Sequence, residues 1–378
     1  MKIERCVWHE DGGWQEPVNP LADRKTANLV LVFAAPSLLR EPTHLRDIQN
    51  RFPNAAVCGC STAGEIAGTR VLDDSFTACA IAFDSSTIIP VDEAISSASE
   101  SFAVGRRLAD KLPKEGLVHT LVLSDGLHVN GAQLAAGVSG GLPHGVAVTG
   151  GLSGDGDRFK ETLVVCRGVA KSGHIVLIGF YGQRLQVGFG SMGGWDSFGP
   201  ERRITRSQDN ILYELDGCSA LDLYKEYLGD HAAKLPASGL LFPLTVRRDK
   251  SDESLVRTIL AVDETNRSLT FAGDVPQGSF ARLMRANFDR LVDGATGAAQ
   301  KSRLKLGQKT DFALLVSCVG RKLVLGPRIE EEVEAVTDVL NTESVGGFYS
   351  YGEISPVAPN ASCQLHNQTM TITTFSEV

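Results

Sequence analysis

Two glutamates occupy matching places in two copies of one motif. V-C-G-C-S-T-A-G-E-I at 57–66 and V-G-G-F-Y-S-Y-G-E-I at 345–354 align without a gap. Val57 faces Val345, Gly59 faces Gly347, Gly64 faces Gly352, Glu65 faces Glu353 and Ile66 faces Ile354. A hydroxyl, Thr62 or Ser350, precedes each G-E-I, and Ser61 adds another in the first copy. A carboxylate beside hydroxyls and glycine backbone can bind the ammonium or hydroxyls of a small ligand. It can equally cap the N–H groups of its own loop. A weaker copy, V-T-G-G-L-S-G-D-G at 148–156, keeps the valine, the glycine two residues on and Ser153, and adds Asp155.

Four further groups lie where chemistry is often placed. Arg321 closes S-C-V-G-R at the end of an apolar run. It could clamp a ligand carboxylate bidentately, or pair with Glu353 or Glu330. His128 follows S-D-G, His174 opens an apolar run, and His366 stands beside Asn367 before the last strand. A histidine so placed can move protons, bind haem iron or orient a loop, the last being the commonest role.

Known catalytic patterns fail on context. G-F-G-S-M-G at 188–193 fits a dinucleotide fingerprint, but the G-W-D-S-F-G-P that follows cannot form the required helix, so it reads as a glycine loop. G-V-S-G-G at 137–141 puts Ser139 at a helix end, not on a strand–turn–helix elbow. No P-loop, H-E-x-x-H, EF-hand or C-x-x-C occurs. A hydrolase-like enzyme with Ser350 as nucleophile and Glu353 or His366 as base is an alternative; the main expectation is a protein that is not an enzyme.

The elements that position these loops repeat as well. Leu29–Ala35 and Phe312–Cys318 are buried strands by their apolar runs; helical stretches at 42–52 and 328–340 lead into the two G-E-I motifs, and strands at 75–83 and 369–375 follow. The middle copy has 120–124 before it and 162–166 after it. The spacing predicts an α/β fold of mixed sheets built from repeated β-α-β-β units. Residues 1–27 read as an irregular lead-in and 190–200 as irregular. Helices are expected at 102–112, with Phe102, Leu108 and Leu112 inward, and from a Ser279 cap through Phe280, Met284, Phe288 and Leu291. Residues 294–311 read as a frayed extension of the latter.

At 378 residues and 43% hydrophobic content, the chain can bury a large core. A net charge of −8 implies no nucleic-acid surface. No signal peptide and no run of about 18 apolar residues is visible, so a cytoplasmic protein without a membrane span is expected. The eight cysteines read as reduced core residues.

Taken in order, C-G-C-S-T-A-G-E-I, L-S-D-G-L, G-G-L-S-G-D-G, Y-E-L-D-G-C-S-A-L-D-L-Y, S-C-V-G-R, G-G-F-Y-S-Y-G-E-I and L-H-N-Q-T-M resemble the FIST family, the F-box and intracellular signal transduction proteins. The resemblance implies an N-terminal FIST domain at 28–215 and a C-terminal one at 216–375, two halves related by a pseudo-repeat. It implies a sensory module for small ligands such as amino acids, acting on a histidine kinase or a chemotaxis component. One stand-alone branch binds haem b and senses nitric oxide. On that reading His128, His174 and His366 are candidate iron ligands. Ser61, Thr62, Gly64, Glu65, Ser153, Asp155, Arg321, Ser350, Gly352, Glu353 and Asn367 are candidate ligand contacts. A homodimer is compatible with it.

Overall fold

The computed structural model describes residues 1–249, 254–303, 309–358 and 361–378. Its core is one unit built three times. In each copy two parallel strands flank a helix, a short hairpin follows, and a return strand runs antiparallel to the first strand. The first copy uses Leu29–Ala34, helix Pro42–Arg51, Ala56–Ser61 and return strand Phe76–Ala82. The middle copy uses Leu117–Ser124, helix Gly131–Gly141, Ala147–Leu152 and His174–Tyr181. The third uses Phe312–Cys318, helix Ile329–Leu340, Val345–Ser350 and Met370–Glu377. A further strand precedes each copy and pairs with its return strand: Lys2–His9, Thr87–Ala94 and Leu185–Met192. This is the α/β architecture of mixed sheets that the repeats predict.

The hairpins are exchanged in a ring. Glu65–Ala67 and Arg70–Leu72 leave the first copy and extend the third copy's sheet, through Glu65 to Ala67 against Gly346 to Phe348. Gly352–Pro356 and Cys363–His366 leave the third and extend the middle sheet. Val164–Cys166 and Val169–Lys171 leave the middle copy and extend the first sheet. Each sheet thus ends in a hairpin from another copy.

The three sheets turn one face toward each other and the other toward helices. Leu31, Phe33, Leu121, Leu123, Leu314 and Val316 meet in a shared centre, where Phe33 stacks on Phe348 at 4.9 Å. Helix Pro42–Arg51 covers the outside of the first sheet with Leu45 and Ile48. Burial on both faces explains why these strands read as unbroken apolar runs rather than alternating ones. Gly59, Gly150 and Gly347 hold the same place in the three copies. A Cβ at each would overlap a carbonyl oxygen of the neighbouring parallel strand, on Val32, Val122 and Leu315.

A β-rich insertion interrupts the third copy between Leu185–Met192 and helix Phe288–Arg303. It leaves and returns through one antiparallel pair, with Asp196 opposite Arg285. The long strand Asp196–Gln208 runs through its eight-stranded sheet.

Several expectations are corrected. Residues 280–285 are a strand, Phe280–Arg285, and the helix starts at Phe288; the Phe280/Met284/Phe288 spacing is compatible with either period. The frayed extension falls partly on 304–308, outside the described residues. The glycines of 188–193 lie mainly in strand Leu185–Met192, not a loop, and Gly188 and Gly190 let helix Phe288–Arg303 lie directly on it. Residues 196–200 open a long strand rather than irregular chain. The lead-in contains strand Lys2–His9, whose buried Glu4, paired with Arg24 at 2.8 Å, hides the apolar pattern. Phe102 is exposed; Val104 and Leu108 face the core. Ser139 lies inside helix Gly131–Gly141. Val164–Cys166 belongs to the exchanged hairpin, and the middle copy's return strand is His174–Tyr181.

Candidate functional site

The three glycine loops interlock. Ala63 donates to the Tyr349 carbonyl and Tyr349 donates back to Gly64, both at 2.8 Å. Gly154 donates to the Ser61 carbonyl, Gly156 to Thr62, and Tyr351 to Leu152. Ser61 Oγ also accepts from the Leu163 N–H at 2.9 Å. The three loops are therefore held to one another by main-chain hydrogen bonds.

Each G-E-I carboxylate sits in a cradle of its own copy. Glu353 accepts from Ser350 Oγ at 2.8 Å, and from Thr369 N and Oγ1 at 3.1 and 2.9 Å. Glu65 accepts from Thr62 Oγ1 and from Ser75 N and Oγ at 3.2 and 2.6 Å. Ser75 and Thr369 are the residues just before the return strands, so each cradle ties hairpin to return strand. The middle copy lacks the glutamate, and Asp125 takes the place: it accepts from Thr162 Oγ1 at 3.0 Å and from the Gly173 N–H at 3.3 Å. Burial pushes Glu65 up to about 7 and Glu353 up to about 8, against the pull of their hydroxyl and N–H donors.

The other residues singled out from the sequence lie apart. Arg321 opens the short helix Val319–Leu325. It is fully buried and pairs with Glu332 at 2.7 Å, not with Glu353 or Glu330, while also donating to the carbonyls of Gly193 and Leu291. Asp155 accepts from the N–H groups of Phe159, Lys160 and Glu161 and from the Tyr351 hydroxyl. Ser153 donates to the Ser124 carbonyl at 2.7 Å. A side chain at Gly64 would meet Lys322, and one at Gly352 would meet Leu152 and Leu365. Asn367 is fully buried and, among the described residues, neither atom of its amide has a partner, a place where an ordered water is expected.

The three histidines are on different elements. His128 is half exposed, with Nδ1 3.1 Å from Asp125. His174 Nδ1 lies 2.9 Å from the Ser172 carbonyl. His366 is buried, with Nε2 2.9 Å from the Ser355 carbonyl, and burial pushes it down to about 4. None of them lines the large cleft described next, whose lining histidine is His144. Among the described residues no group of three His, Cys, Asp or Glu is placed to hold a metal ion.

That cleft, of about 1130 Å³, runs between the insertion and the middle sheet. Its core-side wall is helix Gly131–Gly141, the turn after it and strand Cys363–His366. Its other wall carries Arg247, Arg248, Arg257 and Asp274. Arg257 joins the walls: it donates to the carbonyls of Asp274 at 3.0 Å, Val256 at 3.2 Å and Leu365 at 3.1 Å. None of these bonds goes to a carboxylate, and burial lowers its pKa to about 10. Asp274 accepts from Asn130 and Gln133 of the core at 2.9 and 3.0 Å. Sequence reasoning missed these residues. The signal was R-R-D at 247–249, a basic pair in an acidic chain, which reads as an ordinary solvated turn.

The chain is thus a thrice-repeated α/β core with a β-rich insertion and a cleft between them that carries three arginines. The FIST N domain matches residues 28–218 and the FIST C domain matches residues 220–356. The chain belongs to the FIST family, whose domains are small-ligand sensory and signalling modules. Over 352 residues it is 22% identical to an uncharacterised protein, MJ1623, of Methanocaldococcus jannaschii. The match covers 81% of this chain and 65% of that protein's length. Among the described residues no helix is long and apolar enough to cross a membrane.

Proposed function

We propose that this protein is a sensor that is not an enzyme, and that its ligand is a small anion of amino-acid type held in the cleft between insertion and core. The observation that carries this is Arg257. A buried guanidinium that, among the described residues, is bonded to carbonyls alone gains from an added anion, and Arg248 and Arg247 line the same wall. Among the described residues the lining carboxylate on that wall, Asp274, offers a partner for an ammonium group.

A ligand touching both walls changes their relative placement only if it binds one arrangement better. The altered surface is then read by a partner, a histidine kinase or a chemotaxis component, with the sensor as monomer or homodimer. The hydrolase alternative has its distance, since Ser350 lies 2.8 Å from Glu353. Both side chains are fully buried in an interlocked loop, which gives a substrate no approach.

A thermal-shift and calorimetric panel of free amino acids tests the proposal. A ligand at 100 times its Kd stabilises by about 2.7 kcal/mol, a clear rise in Tm that Arg248→Gln should weaken. A flat panel would overturn it. Haem b is tested on the same sample. A Soret band that moves with nitric oxide and is lost in His128→Ala, His174→Ala or His366→Ala would transfer the signal to iron.

A further inference from the structure

We infer that Cys58 and Cys166 are a modification site, which a hydroperoxide converts to a reversible disulfide that fastens the middle copy's hairpin to the first sheet. This input is separate from the cleft. The pair sits where the hairpin of Val164–Cys166 and Val169–Lys171 joins strand Ala56–Ser61. Val164 lies opposite Cys60 and Val165 opposite Gly59, so the next step along the ladder places Cys166 opposite Cys58. Both side chains belong to the apolar centre where the three sheets meet.

The register also sets the spacing. Ser61 donates to the Leu163 carbonyl at 2.8 Å, which makes those two a hydrogen-bonded pair. Bonded and non-bonded pairs alternate along an antiparallel ladder, so Cys58 and Cys166 are a non-bonded pair, with Cα atoms about 4.5 Å apart. A disulfide spans Cα separations of about 4.4 to 6.8 Å. The two thiols already share a hydrogen bond. The other cysteines of this face are placed differently. Cys60 faces Val164, and Cys79 is separated from Cys58 by Leu31 of the intervening strand.

The two thiols differ in depth and in character. Cys58 is fully buried, whereas Cys166 is 5% exposed and neighbours Asp92 of the edge strand Thr87–Ala94. Asp92 is itself bound to Lys171 at 2.7 Å. The hydrogen bond from Cys58 holds Cys166 below the ordinary thiol range, against burial and the Asp92 carboxylate, and Arg167 adds to the lowering. The same bond, with burial, pushes Cys58 up. The outer sulfur is therefore the one that becomes a thiolate, the reactive form. Hydrogen peroxide, hardly larger than water, fits so narrow an opening.

The Cys166 thiolate attacks one peroxide oxygen. The S–O bond forms, the O–O bond breaks, and the departing hydroxide takes a proton to become water. The Cys58 sulfur then attacks the Cys166 sulfur. The S–S bond forms, the S–O bond breaks, and the hydroxyl leaves as water with the Cys58 proton. Two thiols are oxidised and one peroxide is reduced to two waters. The bridge closes a loop of about 100 residues, which restricts the unfolded chain and should raise Tm by about 5 °C or more.

The full chain is treated with hydrogen peroxide, its remaining thiols are alkylated in urea, and the digest is read by mass spectrometry. The expected result is a peptide pair joined through Cys58 and Cys166 and separated by dithiothreitol, with the rise in Tm reversed by the same reductant. In Cys58→Ala, Cys166 should stop at the sulfenic acid, which dimedone captures. In Cys166→Ala, Cys58 should remain a thiol. Exposed Cys218 reports that the oxidant has acted. Alkylation of both Cys58 and Cys166 in a sample whose Cys218 is oxidised would overturn the site, and that result needs no variant. Cys166 bridged to a different cysteine would overturn it equally. A Cys58–Cys166 bridge that leaves Tm unchanged would overturn the fastening.

Discussion

Burial raises the pKa of Glu65 and Glu353 above the ordinary glutamate value, and this has a consequence for stability. Burial places them at about 7 and about 8, while an unfolded chain releases both protons near the ordinary glutamate value of 4.5. Above that value the native state binds more protons, so stability falls as pH rises. His366 acts in the opposite sense. Its native value of about 4 lies below the ordinary 6.5, so its contribution is present above 6.5 and is lost as pH falls toward 4. Above pH 6.5 only the glutamates remain in play. Between pH 6.5 and 8, Glu353 alone should cost about 2 kcal/mol. The urea midpoint should decline over that range, and Glu353→Gln, which mimics the protonated form, should flatten the decline. The same slope in both proteins would show that Glu353 is ionised in the native state.

At the scale of the element, the repeated glycine is explained by a close approach rather than a turn. Gly59 and Gly347 lie mid-strand, and an added methyl at either would overlap a carbonyl oxygen that cannot move without its sheet. Gly59→Ala and Gly347→Ala should each cost about 3 kcal/mol or more, as overpacking against backbone does. Gly12→Ala, in open space, is the control. Chemical denaturation of the three variants checks this, and parity of Gly347→Ala with the control would refute it. The G-E-I carboxylates belong to this scale too. Each fastens a hairpin that has crossed into another sheet to the return strand of its own copy.

For the whole molecule, exchanged hairpins and an inserted sheet make different demands. The core closes in a ring of three sheets, whereas the insertion's chain leaves and re-enters the core through one antiparallel pair around Asp196 and Arg285. Gly194 sits against Arg290 and Gly294 against Gly193, so the two connections to the core already touch. Replacing residues 197–284 by a short glycine-rich link should therefore leave a cooperatively folded core, read by circular dichroism and a single denaturation transition. The same deletion removes one wall of the cleft and should abolish ligand binding. A deleted protein that still binds would relocate the site to the core.

The sequence alone determined the repeat, the α/β class and the family, because strand runs buried on both faces and in-register G-E-I motifs are local and periodic. It exposed Glu65, Glu353 and the hydroxyls beside them, though not whether they face a ligand or their own loops. Strand Lys2–His9 escaped notice because a buried, paired Glu4 breaks the apolar pattern. Arg321 was visible as a cation at a strand end, but its partner was decided by which turn of helix Ile329–Leu340 packs beneath it. The hairpin exchange was not legible at all, since pairing in a sheet depends on which edge lies alongside in space. The cleft belongs to the same class. Arg257 and Leu365 are 108 residues apart and meet only because the insertion folds back onto the sheet that the third copy's hairpin extends.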